Sequence, residues 1–255
     1  LFSMAGPASV NYIARFDGTN WHPMASGFDS AVRVIAISTG GVVYAAGDFT
    51  TAPGAGSMNR IARWSGTNWV ALGSGLNNKV RALAFDPSGN VYAGGDFTTA
   101  GGVSALRVAK LNGSAWSSVG SGFNTSVYAL VWHHTNLYAG GEFTNSGAVI
   151  TKRVAKLLGA NWVAVGSGHV GPVYALCSYN SGSGARLIAG GDFTVGATGY
   201  DNIAQWDGSG WYTIGTGLED PVYALTTNSV GGFYAGGEFS DFQVQYVGWW
   251  NGTSW

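Results

Sequence analysis

The chain of 255 residues repeats one short phrase five times: Tyr44-Ala45-Ala46-Gly47-Asp48-Phe49, Tyr92-Ala93-Gly94-Gly95-Asp96-Phe97, Tyr138-Ala139-Gly140-Gly141-Glu142-Phe143, Ile188-Ala189-Gly190-Gly191-Asp192-Phe193 and Tyr234-Ala235-Gly236-Gly237-Glu238-Phe239. The acid therefore recurs at 48, 96, 142, 192 and 238, a period close to the roughly 40–50 residues of one four-stranded propeller blade. Each copy reads as a strand that ends in small residues where backbones approach closely, followed by an acid and a buried Phe.

The rest of the chain keeps step. A second unit runs from Ile13-Ala14-Arg15-Phe16 through the turn Asp17-Gly18-Thr19-Asn20 to Trp21. It recurs as Ile61 to Trp69, Val108 to Trp116, Val154 to Trp162, Ile203 to Trp211 and Val247 to Trp255. Asp-Gly and Asn-Gly between apolar strands signal hairpins, because Gly accepts the positive φ of a tight turn. After each internal Trp comes a Gly-x-Gly turn, then a strand such as Val80-Arg81-Ala82-Leu83 or Val173-Tyr174-Ala175-Leu176. Each repeat is thus four short strands, and no segment carries a helical period. Such units, unable to bury both faces alone, stack radially. The expected fold is an all-β propeller of four-stranded antiparallel blades, with a β-solenoid as the competing architecture. Residues 1–255 read as one domain with five complete blades at about 28–72, 76–119, 123–165, 169–214 and 218–255. Residues 1–26 add a closing or partial blade, and six blades is the alternative. Both ends supply the same pair of strands, so the chain reads as a piece of a longer array, or as one that closes with another chain.

Composition narrows the function. Only 10% of residues are charged, against 42 glycines and 14% aromatics, which suits many short strands and excludes disorder. A net charge of −1 without a basic run excludes a nucleic-acid binder, and no apolar run is long enough to span a bilayer. The lone Cys177 lies in an apolar strand and reads as a buried thiol. Low charge and the sequons at Asn112, Asn124 and Asn251 lean towards an extracellular or cell-surface setting.

The paired Gly, the preceding aromatic and the Trp of the last strand resemble the kelch repeat. The longer pattern Ile-Ala-Arg-Trp-x-Gly-Thr-Asn-Trp, with Val-x-Ala-Leu and Tyr-Ala-Gly-Gly-Asp-Phe, is similar to the propeller repeats of the fungal cortical polarity-marker family and of bacterial cell-surface proteins. This resemblance covers essentially the whole chain. It implies an extracellular propeller and names no ligand. Galactose oxidase, a kelch-type copper enzyme, does not carry over: Cys177 is in an inner strand and no His pair recurs at ligand spacing. The turn at Asp17 is similar to the sialidase Asp-box, with one residue fewer between Asp and Gly.

The repeated acids Asp48, Asp96, Glu142, Asp192 and Glu238 are weak candidates for a Ca²⁺ site. The bland alternative pairs them with the third-strand bases Arg15, Arg63, Lys110 and Lys156, because one equivalent acid per blade is scaffold, whereas a catalytic pair needs two different environments. Histidines 22, 133, 134 and 169 sit at non-equivalent positions, His133-His134 in a turn where solvation is expected. Trp21, Trp69, Trp116, Trp162 and Trp211 are periodic and expected between blades. Aromatics outside that register, Trp132, Tyr179, Tyr200, Tyr246 and Trp249, are the candidates for exposed ligand contact. No catalytic residue, metal site or cofactor is nominated. The leading expectation is a non-catalytic extracellular propeller that mediates protein interaction or adhesion within a larger surface protein. A multivalent glycan-binding propeller is the alternative, and an enzyme with its site in the irregular loops 50–59, 178–186 or 195–201 is the third. An oligomer or a longer parent chain fits the truncated ends.

Overall fold

A computed structural model describes residues 2–180, 184–195, 201–228, 231–240 and 245–255, and every element described is a strand. Contacts divide the chain into two compact units, residues 1–119 and 120–255. The first holds blade 1 (Val32–Ile37, Val43–Gly47, Ile61–Trp64, Trp69–Ala71) and blade 2 (Val80–Phe85, Val91–Gly95, Val108–Asn112, Ala115–Ser118). The second holds blade 3 (Val127–His133, Asn136–Gly141, Val154–Leu158, Asn161–Ala164) and blade 4 (Val173–Asn180, Ala185–Gly191, Ile203–Trp206, Trp211–Thr213). It also holds blade 5, with three described strands (Val222–Thr227, Phe233–Gly237, Val247–Trp250). In every blade sequential strands are neighbours and antiparallel, the arrangement of a five-bladed β-propeller. The first unit also carries a separate pair, Ala14–Phe16 with Trp21–Pro23.

The paired Gly follows from one local device. In each blade the register of first against second strand slips by one residue: Val32 and Arg33 both oppose Gly47, and the same shift recurs at Val80/Ala82, Val127/Ala129, Val173/Ala175 and Val222/Ala224. This β-bulge brings a carbonyl against the second Gly. A Cβ on Gly95 would lie 2.1 Å from the Lys79 carbonyl oxygen, while the next amide, of Asp96, bonds that same oxygen at 2.9 Å.

The residue ahead of each third strand is left-handed. Tyr12, Arg60, Arg107, Arg153, Asn202 and Tyr246 all have φ between 43° and 79°. From Arg60 onward, each of these N–H groups bonds the carbonyl of the Phe that follows the acid. Between second and third strands lie small hairpins that the sequence reading had left unassigned, such as Thr99–Ala100 with Val103–Ser104.

Within each unit, indole rings tie a blade to the strands that precede it. Trp69 Nε1–H donates to the Met24 carbonyl (3.1 Å), Trp116 to Leu72 (2.8 Å) and Trp211 to Val165 (3.0 Å). Trp69, Trp116 and Trp162 are buried as expected, and Trp211 is half-buried. Trp21 is not: it remains 45% exposed, because its pair of strands has no second pair to complete a blade. Trp116→Phe removes the indole N–H and one of the two fused rings, so the Leu72 carbonyl keeps only its bond from the Gly75 amide (3.2 Å) and the buried site is left underfilled. The expected loss is about 2 kcal/mol, a fall in melting temperature of about 4–8 °C. An unchanged melting temperature would show that neither the bond nor the second ring contributes.

Candidate interaction face

The acids that close each repeated phrase meet the residue at the bulge, not the third-strand bases. Arg33 grips Asp48 with two bonds of 2.6 Å, and Arg81 grips Asp96 with two of 2.8 Å. The guanidinium of Arg33 holds the Asp48 carboxyl below its ordinary range. The expected pairing with Arg15, Arg63, Lys110 and Lys156 is corrected: in register Arg63, Lys110 and Lys156 oppose Tyr44, Tyr92 and Tyr138 at the start of the phrase, four residues before the acid. Lys110 instead reaches Asp86 at 3.3 Å and lies over the Tyr92 ring, and Lys156 lies over Tyr138. Arg60, Arg107 and Arg153 donate to the acids' backbone carbonyls. With Asp48 and Asp96 each clamped by a guanidinium, neither is open to a cation. No cluster of three His, Cys, Asp or Glu able to hold a metal occurs among the described residues.

In the second unit the bulge residue is tyrosine. The Tyr128 hydroxyl donates to Glu142 Oε2 at 2.9 Å, and burial, followed by the charge of Glu238, raises the Tyr223 phenol above its ordinary value. Tyr174 stands between them, its ring 5.6 Å from that of Tyr128 and 5.3 Å from that of Tyr223. Burial, reinforced by Asp192, Glu142 and Glu238, raises its phenol above the ordinary value. Three tyrosines and three exposed carboxylates thus line the starts of three adjacent first strands. Among the described residues no Lys or Arg is ion-paired to these carboxylates. Sequence reasoning missed these tyrosines. The signal was the variable residue of Val-x-Ala-Leu, Arg twice and then Tyr three times, but its meaning depends on the bulge.

The nominated aromatics do not converge on one site. Tyr246 and Trp249 are exposed, Trp249 stacking on Tyr234 with centroids 6.5 Å apart. Tyr246 occupies the left-handed position common to all repeats, so the backbone accounts for its place. Trp132 is half-buried in the first strand of blade 3 opposite Leu137. Tyr179 corrects the expectation of exposure: it is 4% exposed, its hydroxyl donates to the Gly231 carbonyl (3.0 Å) and its ring meets Phe233 edge-on. The long first strand of blade 4 carries it inward. Tyr200 lies outside the described residues.

The histidines also part from expectation. His134 is exposed, but His133 is buried and its Nδ1 lies 2.8 Å from the Ser178 hydroxyl, because the strand extends through it. Burial is the main cause lowering its pKa to about 4, with His134 and Lys156 adding to it. The pair borders a cleft of about 370 Å³ with Tyr138, Lys156, Trp206 and Asp207. Among the described residues no carboxylate is hydrogen-bonded to His133, so the orienting third member of a nucleophilic triad is not in place. Cys177 is buried and its thiol is pushed up to about 12 by desolvation, far from the thiolate a nucleophile needs.

Blades, bulges and indole ties define a β-propeller module. Residues 62–226 match the Rax2 C-terminal beta propeller domain, and the chain belongs to that family. No curated protein matches the chain significantly in sequence. Among solved structures it is similar to the β-propeller domain of Cps50 (Swd1) from Myceliophteria thermophila, at 12% identity, a TM-score of 0.50 and coverage of 81% of this chain and 62% of that one. It is also similar to the extracellular domain of BT4673 from B. thetaiotaomicron, at 10% identity and a TM-score of 0.41. That match covers 80% of this chain, which spans only 30% of that protein's length. The computationally designed Ika4 protein is 17% identical, with a TM-score of 0.44 and coverage of 71% of this chain and 94% of that one.

Proposed function

We propose that the chain is a non-catalytic propeller module of a cell-surface protein and that it binds another protein through the Tyr128–Tyr174–Tyr223 row. The observation that carries this reading is a line of neighbouring phenol rings edged by carboxylates to which no Lys or Arg among the described residues is ion-paired. Tyrosine offers a large, stiff contact area with a polar tip, which interfaces favour. The carboxylates select a partner that presents Lys or Arg, whose cation also gains from a ring face. Membership of the Rax2 propeller family supports the cell-surface setting. Residues 1–255 act here as one domain, with 1–26 as its partial blade.

The test is a peptide array probed with the folded chain, alongside a glycan array. Basic peptides are expected to bind. Tyr174→Ser and Tyr223→Ser, checked for an unchanged fold by circular dichroism, are each expected to weaken binding about tenfold or more. Glycan binding abolished by the same variants would replace this reading with the lectin one. Peptide binding indifferent to both variants would move the site elsewhere.

A further inference from the structure

The pair Ala14–Phe16 and Trp21–Pro23 is the outer half of a blade. Its register, Ala14↔Pro23, Arg15↔His22 and Phe16↔Trp21, is that of Ala62↔Ala71, Arg63↔Val70 and Trp64↔Trp69 in blade 1. Trp69 ties to Met24 just beyond it as Trp116 ties to Leu72 just beyond blade 1. The pair therefore stands to blade 1 as the outer strands of blade 1 stand to blade 2. In blades 1 to 5 the other edge of the third strand bonds the Tyr-Ala-Gly-Gly strand or its equivalent. Among the described residues, Ala14–Phe16 pairs with nothing on that edge.

A second observation in the same unit marks the same place. On the first strand of blade 1, Ile35 is 54% and Ile37 65% exposed. Their register counterparts in blade 2 are covered: Leu83 is 8% exposed among Val34, Ala36, Tyr44 and Ala46 of blade 1, and Phe85 lies 5.1 Å from the Tyr44 ring. In the second unit, Leu176 packs on Gly140 and Leu225 on Gly190, always of the preceding blade. Ile35 and Ile37 thus face where the first and second strands of a preceding blade belong, beside the open edge of Ala14–Phe16. An open strand edge next to an apolar pair is a template for strand addition.

We propose that this face is a docking site for a β-hairpin of the chain's own repeat type, supplied by a separate stretch of polypeptide. The hairpin sets its Tyr-Ala-Gly-Gly strand against Ala14–Phe16, its Ala opposite Ala14 and its Tyr opposite Arg15, as Tyr44 opposes Arg63 and Tyr92 opposes Lys110. Its small residues lie under Ile35, and its Tyr meets Ile37 as Tyr44 meets Phe85. Trp21 and Phe16 then lose their exposure. The face is distinct from the tyrosine row, and the two readings stand or fall separately.

The probe is a fluorescently labelled synthetic peptide with the sequence of residues 78–97, added to the 255-residue chain. Saturable binding by anisotropy is expected, with new hydrogen-exchange protection at residues 14–16 and 34–37. Ile35→Asp with Ile37→Asp, exposed positions whose change leaves the melting temperature in place, should weaken binding by about tenfold or more. A peptide carrying Gly94→Leu should likewise fail, because the branched side chain occupies the space of Ile35. No binding, or binding that ignores the paired Asp variant, overturns the proposal. A dimer of the chain that the Asp variant breaks and the peptide cannot displace would also overturn it, making the occupant a second copy.

Discussion

His169→Phe is expected to stabilise the protein by about 1 kcal/mol at pH 7.5 and by about 3 kcal/mol at pH 5. His169 follows Gly166-Ser167-Gly168, and Phe28 and Phe123 stand at the same place in blades 1 and 3, after Ala25-Ser26-Gly27 and Gly120-Ser121-Gly122. Phe28 stacks on Phe49 at 3.9 Å and tilts against Trp69 at 4.8 Å; Phe123 meets Phe143 at 4.0 Å and Trp162 at 4.8 Å. His169 meets Phe193 at 4.1 Å and Trp211 at 4.5 Å, so an aromatic slot receives a polar ring. It is only 4% exposed, and neither ring nitrogen has a hydrogen-bond partner. Desolvation, opposed weakly by Asp201, lowers its pKa to about 3 from an ordinary 6.5. Above pH 6.5 the ring is neutral in both states and only the unsatisfied nitrogens cost stability. Between pH 6.5 and 3 the unfolded chain binds a proton that the folded one refuses, so stability falls as pH falls, by about 2 kcal/mol at pH 5. Phenylalanine removes both costs. Denaturant midpoints of the two proteins at pH 7.5 and pH 5 measure the difference. An equal gain at both pH values would show that His169 is not held neutral, and a loss at pH 7.5 would show that the slot does not accept the larger ring.

Gly95→Ala is expected to destabilise the chain by about 3 kcal/mol or more, whereas Gly94→Ala should cost clearly less. A methyl at Gly95 has no free direction. It points at the Lys79 carbonyl from 2.1 Å and at the Val80 Cα from 3.0 Å, both backbone atoms that no rotamer change can move. Relief requires opening the bulge, which separates Arg81 from Asp96 and breaks the bond from the Asp96 amide to Lys79. At the neighbouring position blade 1 carries Ala46, fully buried, and a methyl at the equivalent Gly140 or Gly190 would meet the side chains of Val173 or Val222 (2.7 and 2.6 Å), not backbone as at Gly95. Urea denaturation of the two single variants separates them. Comparable losses would mean that both glycines matter only for chain entropy, and the close approach at the bulge would then not be the reason for the second one.

These two residues show where sequence reasoning reached and where it stopped. The need for small residues at the end of the second strand was legible, because the phrase recurs with a fixed period and Gly in a strand marks close backbone approach. The indole positions were legible for the same reason, Trp21 excepted, since its exposure depends on strands that should lie beside its own pair. His169 was not legible as a core residue. It follows Ser-Gly as Phe28 and Phe123 do, but a histidine in a polar-looking stretch gives no sign that this position is an aromatic slot between the repeated Phe and Trp. Tyr179 reads as an exposed aromatic for the same reason. The first strand of blade 4 runs two residues longer than those of blades 1, 2 and 5, and that length, set by pairing with Arg186 and Ala185, turns the ring inward.

Sequence by itself determined the repeated four-stranded unit, the all-β propeller class and the family likeness, because periodicity and backbone-limited residues are local properties that survive without knowledge of neighbours. Tertiary structure alone decided which side chains meet: that the repeated acids answer to Arg33, Arg81 and the tyrosine row instead of the third-strand bases, and that Ile35 and Ile37 stand uncovered beside an open strand edge. One bulge residue in each first strand swings those side chains towards the acids. The stacking of blade on blade determines whether an apolar residue is buried or exposed. Both are relations between strands far apart along the chain, which the spacing of residues within one repeat does not encode.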